Sequence, residues 1–279
     1  MPEVKITNSS ASAVITLLGA QVISFIPQAT GKDLLWLSPL SAFKEGTPIR
    51  GGIPICWPWF GPQPTDSSKP AHGFARNKIW KLDNITQADD GRSIVVLSLD
   101  DSPETRALWP YAFHCKANIS VGNTLSVALA VENTGDMPFT MTAALHTYFA
   151  IGDVRQTHLL GLQRATYIDK LDGGNRHAQP DGPLAFAAET DRIYTACQTP
   201  VVIEDAANRR LVTVSREGSH SLVVWNPWID KARRMADFPD DGYTEMLCVE
   251  ACNAADDSIA LKPGETHTLS TFLQATRLD

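Results

Sequence analysis

Ala112-Phe113-His114-Cys115-Lys116-Ala117-Asn118-Ile119-Ser120-Val121-Gly122-Asn123-Thr124-Leu125-Ser126-Val127-Ala128-Leu129-Ala130-Val131 decides the fold. Phe113, Cys115, Ala117, Ile119 and Val121 alternate with His114, Lys116, Asn118 and Ser120. Successive side chains of a strand point to opposite faces, so this two-residue period marks a strand with one face in a core. Gly122-Asn123 supplies a tight turn, and Leu125, Val127, Leu129 and Val131 resume the alternation on the way back. The stretch reads as a β-hairpin.

Outward from it the same signature recurs. Ile94–Leu99, Phe139–Phe149, Val201–Glu204, Leu211–Ser215, Leu222–Trp225, Met246–Glu250 and Thr268–Gln274 read as strands separated by turn-rich spacers. Helix is scarce. Ser102-Pro103-Glu104 is a cap followed by proline at the first helical position, and Pro110 stops that helix within about two turns. Without a repeated βαβ pattern, a doubly wound parallel sheet is excluded. The expectation is a mostly-β chain, a large antiparallel β-sandwich over residues 1–279 as a single domain, a length such sandwiches reach. The proline- and glycine-rich stretches Ser38 to Pro70 and Asp172 to Pro183 read as long loops on it, and loops of that length are often functional.

Composition narrows the function classes. With 43% hydrophobic and 20% charged residues the chain has an ordinary globular mix, which excludes a disordered or fibrous class. A net charge of −7 excludes a broad basic surface, so no nucleic-acid partner is expected and a small molecule is. The apolar run Ala13 to Pro27 is broken by Gln21 and Ser24 and is too short to span a bilayer; it reads as two strands around Gly19-Ala20, with no membrane partner. Cys56, Cys115, Cys197, Cys248 and Cys252 form an odd set without a Cys-x-x-Cys, which fits reduced thiols and a cytoplasmic location.

Five blocks interrupt the strand pattern with chemistry. Arg50-Gly51-Gly52-Ile53-Pro54-Ile55-Cys56-Trp57-Pro58-Trp59-Phe60-Gly61-Pro62 cannot be regular helix or central strand. Its aromatic rings either stack on a sugar or plug the end of the sandwich, with nothing in the sequence to choose between the two. Arg50 beside two glycines offers a planar donor fork to an anion, or is an ordinary surface arginine. Ala71-His72-Gly73-Phe74-Ala75-Arg76 lies on a non-helical segment, and a lone histidine is more often structural than catalytic. His146 interrupts the apolar Ala143-Ala144-Leu145-His146-Thr147-Tyr148-Phe149; buried, it needs partners, and a place facing a cleft is the favoured reading. Glu189-Thr190-Asp191-Arg192-Ile193-Tyr194 reads as a strand on which Asp191 and Arg192 are most simply a surface ion pair. Glu250 sits inside the apolar Met246-Leu247-Cys248-Val249-Glu250-Ala251-Cys252-Asn253, where burying even a neutral polar group costs roughly 2–7 kcal/mol unless it is paired. A carboxylate in such a place usually has a task.

Taken in order, RGGIPICWPWFGP, AHGFAR, LHTYF, ETDRIY, VVWNPW and CVEACN resemble the aldose 1-epimerase (mutarotase) superfamily, and within it the glucose-6-phosphate 1-epimerase branch. The six blocks run from Arg50 to Asn253 and so cover most of the chain. The resemblance implies a galactose-mutarotase-like sandwich with a cleft across one face, active without metal or organic cofactor and expected to be a monomer. It implies His146 as general acid, Glu250 as general base, His72 assisting at the ring oxygen or holding the substrate, and Asp191 bonding sugar hydroxyls. Arg50 and Arg76 resemble the phosphate-binding arginines of the branch, which makes a sugar phosphate the expected partner; Arg192 receives no role. Two other readings compete. A non-catalytic sugar-binding module explains the aromatic residues and arginines but not a buried Glu250. A glycoside hydrolase would use Asp191 with Glu250 as its two carboxylates and leave His146 remote.

Overall fold

A computed structural model describes residues 1–278. Two large antiparallel sheets carry the molecule. The nine-stranded sheet runs Leu184–Ala185, Thr157–Leu160, Val201–Asp205, Arg210–Glu217, Thr266–Arg277, Thr124–Asn133, Phe113–Val121, Ser93–Asp100, Lys81–Gln87. The hairpin that decided the fold lies inside it, with Phe113 opposite Asn133 and Val121 opposite Leu125. Along Thr124–Asn133 every second side chain is buried, as alternation requires of a strand with one wet face. The outer edge, Lys81–Gln87, is exposed throughout, carries Lys81 and Asp83, and has a register shift between Leu82 and Asn84; charge and a bulge are how an open edge avoids pairing with another chain.

The eight-stranded sheet runs Asn175–Ala178, Thr166–Asp169, Thr190–Tyr194, Ser221–Asn226, Met246–Asn253, Ala143–Leu145, Ile55–Cys56, with Tyr148–Ala150 also paired to Met246–Asn253. Its two central strands, Ser221–Asn226 and Met246–Asn253, are buried at every position. One face packs toward Thr266–Arg277 of the other sheet and contributes to the common core, in which Val249, Leu222, Leu269 and Leu273 are 0–1% exposed. The opposite face is roofed by the long loops. Glu3–Thr7, Ala11–Thr16 and Gln21–Pro27 form a separate three-stranded sheet, with the turn between the last two at Gly19-Ala20 as expected.

The short helix is present at Pro103–Leu108, where Ser102 caps the N–H of Thr105 and the Thr105 hydroxyl accepts from Ser102 N–H. Two expectations need correction. Phe139–Phe149 is not one strand: Phe139–Met141 pairs with Ile259–Leu261 in a sheet of its own, and Ala143–Leu145 is parted from Tyr148–Ala150 where the Thr147 N–H turns back to Leu145 O at 2.8 Å. The supposed loop Asp172 to Pro183 contains the edge strand Asn175–Ala178, whose exposed polar residues give no hydrophobic period to read. Among the described residues no helix is long and apolar enough to cross a membrane, and all five cysteines are unbridged and buried.

Candidate active site

A cleft of about 280 Å³ opens over the eight-stranded sheet. Glu250 and His146 form its floor. Strand alternation aims Glu250 at the cleft while Val249 and Ala251 turn to the core, and the register set by Leu145–Ala251 and Tyr148–Cys248 places His146 opposite it on the neighbouring strand. His146 Nδ1 lies 3.2 Å from Glu250 Oε1, with the two residues 7% and 1% exposed. The contact is close but lacks hydrogen-bond alignment, so His146 Nδ1 and both Glu250 oxygens are buried without a protein partner. Buried polar atoms left in that state are expensive, and a bound ligand is what would relieve them.

Burial decides the charge of this pair. It pushes the Glu250 carboxyl well above the usual carboxylate range, helped by nearby Asp191, and holds His146 well below the usual imidazole range, helped by His72, Arg76 and Arg50. Both shifts favour the uncharged form. The shared proton of the pair is thereby favoured on Glu250 over His146.

The wall is built from the remaining blocks. His72 has φ +64° and is followed by Gly73 at φ +70°, whose absent Cβ would lie 2.0 Å from Trp57 O; only glycine lets the segment pass that close. The turn places the His72 ring 5.7 Å from that of His146 and 4.9 Å from Phe60. His72 Nδ1 accepts the N–H of Gly61 at 3.3 Å, which leaves the proton on Nε2. Burial, with Arg76, Lys170 and Arg50 nearby, lowers its pKa to about 3, so His72 is a neutral donor. Asp191, 7% exposed, meets Lys170 Nζ at 3.0 Å and lies 4.0 Å from Lys231 Nζ.

The arginines divide. Arg50 lines the cleft but grips both Asp237 oxygens through Nε and Nη2, at 3.1 and 3.2 Å, and donates from Nη1 to the Tyr148 hydroxyl at 3.0 Å. Its fork is thus half committed, and it steadies Tyr148, whose ring stacks on His146 at 4.7 Å and 8°. Arg76 is not on the cleft wall; Nη2 donates to Ala71 O at 3.0 Å and its buried Nε has no partner. Arg192 lies 4.4 Å over the Tyr167 ring and 3.6 Å from Asp169, while buried Asp191 pairs with Lys170, so the surface Asp191–Arg192 ion pair read from the sequence is not formed.

The aromatic block divides as well. Trp57 is fully buried against Trp109 and Phe113, and Trp59 is 6% exposed with its indole N–H on Pro70 O; both plug the sandwich. Only Phe60 faces the cleft, joined by Trp225. Sequence reasoning missed Lys170 and Lys231, whose ammonium groups lie 5.9 Å from the rings of Phe60 and Trp225. Lys231 had a signal in VVWNPW: Asn226 donates to Tyr243 O and Met246 O and accepts from Trp228 N–H, tying the strand end to the helical turn Trp228–Ala232 that presents the lysine. Lys170, just past the end of Thr166–Asp169, had none.

A β-sandwich whose cleft holds a histidine and a carboxylate with one proton between them, ringed by hydrogen-bonding side chains, defines a sugar isomerase of the mutarotase class. A family model described as aldose 1-epimerase matches residues 2–274, and the chain belongs to that family and is an epimerase acting on sugars. A curated relative from Escherichia coli (strain K12), named "Putative glucose-6-phosphate 1-epimerase", is 37% identical over 272 residues, 98% of this chain and 90% of the relative. A relative of the same name from Cenchrus ciliaris is 37% identical over 261 residues, covering 91% and 78%. The crystal structure of a "putative mutarotase" from Salmonella typhimurium superposes with a TM-score of 0.91 at 33% identity, covering 98% of this chain and 90% of that one. The galactose-mutarotase-like fold expected from the sequence is the fold observed.

Proposed function

We propose that the chain interconverts the α and β anomers of a hexose 6-phosphate, glucose 6-phosphate first among them, by opening and reclosing the ring at the His146–Glu250 pair. The observation that carries this reading is the 3.2 Å contact between those two residues on the floor of a cleft rimmed by Arg50, Lys170 and Lys231. The names of the relatives support the phosphate ester as substrate.

Ring opening removes the proton of the anomeric hydroxyl and gives one to the ring oxygen as the C1–O5 bond breaks, so a base and an acid must flank one small molecule. With the shared proton on His146, Glu250 takes the hydroxyl proton and His146 protonates the ring oxygen. Rotation about C1–C2 in the open aldehyde presents the other carbonyl face, and the pair acts in reverse to close it. The phosphate dianion favours the proton on His146, because it stabilises an imidazolium. Nε2–H of His72 donates to the ring oxygen or a hydroxyl, and Asp191 accepts from sugar hydroxyls. Phosphate binding falls to the free N–H groups of Arg50 and to Lys170 and Lys231, with Arg76 contributing charge from behind His72.

The hydrolase reading loses its ground, since His146 adjoins Glu250 rather than standing remote. Saturation-transfer NMR on glucose 6-phosphate and on free glucose tests the proposal. Faster anomer exchange of the phosphate ester than of the free sugar is expected, with the preference reduced in Lys231→Met. Equal acceleration of both sugars would remove the phosphate from the reading, and acceleration of neither would leave a sugar-binding module.

A further inference from the structure

One buried nucleophile beside the His146–Glu250 pair has no part in that chemistry. Cys248 lies two residues before Glu250 on Met246–Asn253, so both side chains leave the strand on the same face. Its cross-strand partner is Tyr148, two residues beyond His146, which brings the imidazole to the same spot from the opposite strand. One ligand atom each from His146, Cys248 and Glu250 falls within 4.8 Å of the other two.

We propose that these three side chains form a binding site for a thiophilic divalent cation of the zinc class, which blocks the cleft to sugar. Ligands about 2.0–2.1 Å from a tetrahedral zinc stand about 3.3 Å from one another. His146 Nδ1 and Glu250 Oε1 already hold such a spacing, 3.2 Å, without the alignment of a hydrogen bond. These atoms are unpartnered on residues 7% and 1% exposed, so both donors are desolvated. Cys248 Sγ, within 4.8 Å of both, moves closer on binding. A set of one thiolate, one imidazole and one carboxylate suits zinc, cobalt(II) or cadmium, whereas magnesium and calcium prefer oxygen alone.

Binding forms metal–sulfur, metal–nitrogen and metal–oxygen bonds and changes no oxidation state. The proton of the Cys248 thiol and that of the Glu250 carboxyl pass to solvent, and the fourth position faces the cleft and takes water. The ion is no part of the epimerase reaction; it ties up the acid and the base together.

Titration of the chelator-treated protein with cobalt(II) is the test, because its readout does not depend on any activity. One ion per chain is expected, with a sulfur-to-cobalt charge-transfer band and the intense visible bands of a four-coordinate ion. Zinc should abolish both spectrum and sugar exchange, and Cys248→Ala should lose the band, keep exchange, and need at least about 10–100-fold more zinc for the same inhibition, the loss that even an outer partner of a metal ligand produces. Should Cys248→Ala fold poorly by circular dichroism, cadmium NMR of the unaltered protein decides, a resonance with a single sulfur ligand being expected. Absence of the charge-transfer band in the unaltered protein, its survival in Cys248→Ala, or a cadmium site with two sulfurs would overturn the proposal.

Discussion

The strands Thr124–Asn133 and Met246–Asn253 are of similar length, antiparallel, and central to their sheets, yet they obey different rules. The first alternates half-exposed and buried positions along its whole length. The second is buried throughout, because one face meets the core and the other the cleft. In the nine-stranded sheet buried polar groups find protein partners, as Asn133 does on Met137 O and Leu261 O and as Arg210 Nε does on Asp205 Oδ2 at 3.0 Å. In the eight-stranded sheet Glu250, and across from it His146, are withdrawn from water without a partner, and that deficit is what gives them chemistry. The regular sheet supplies rigidity, and the irregular one spends it on a site.

Exchanging the properties of the two strands breaks this comparison most sharply at Glu250. Glu250→Gln should reduce kcat by about 10²–10⁴-fold, the range of a lost acid–base group, with the circular dichroism spectrum unchanged. Leu129→Ala, in the regular strand, should do the converse: about 2–5 kcal/mol of stability lost in urea unfolding, with kcat per folded molecule retained.

Acidity sharpens it further. A carboxyl raised by burial binds its proton more tightly folded than unfolded, so stability falls as pH climbs from the unfolded pKa towards the folded one. Glu250→Gln removes that loss. Its thermal midpoint should match the unaltered protein in acid and exceed it increasingly towards alkaline pH; a constant offset would contradict the assigned cause. kcat/KM should follow a bell, its acid limb set by a second proton entering the pair and its alkaline limb by loss of the only one. Because His146 is held below and Glu250 above its ordinary range, the plateau should be broader than two unperturbed groups would give.

The smallest effect belongs to Arg192. It packs on Tyr167 outside the cleft, so Arg192→Gln should cost no more than about 1 kcal/mol and leave KM for the sugar phosphate unchanged, while Asp191→Asn, one residue earlier, should raise it.

The same contrast explains what was legible beforehand. Phe113–Val121 and its partner could be read because one wet face writes a period into the sequence. Glu250 could be read because a carboxylate is conspicuous in an apolar run, and His146 for the same reason. The break of Phe139–Phe149 into three strands could not, since Phe139–Met141 pairs with Ile259–Leu261, far along the chain, and nothing local announces such a partner. The commitment of Arg50 to Asp237 was hidden likewise, as was the cleft position of Lys170: each depends on loops that only the fold brings together. Trp57 and Trp59 carried identical local signals to Phe60, and only packing separates two plugs from one cleft wall.

Saturation-transfer NMR of glucose 6-phosphate with Glu250→Gln, His146→Asn and the double variant, beside the unaltered protein, tests the central claim most directly. If the two residues act as one proton-sharing pair, each single change should abolish most of the exchange and the double variant should be scarcely worse than either. Exchange near the unaltered rate in either single variant, or losses that simply multiply in the double, would contradict it.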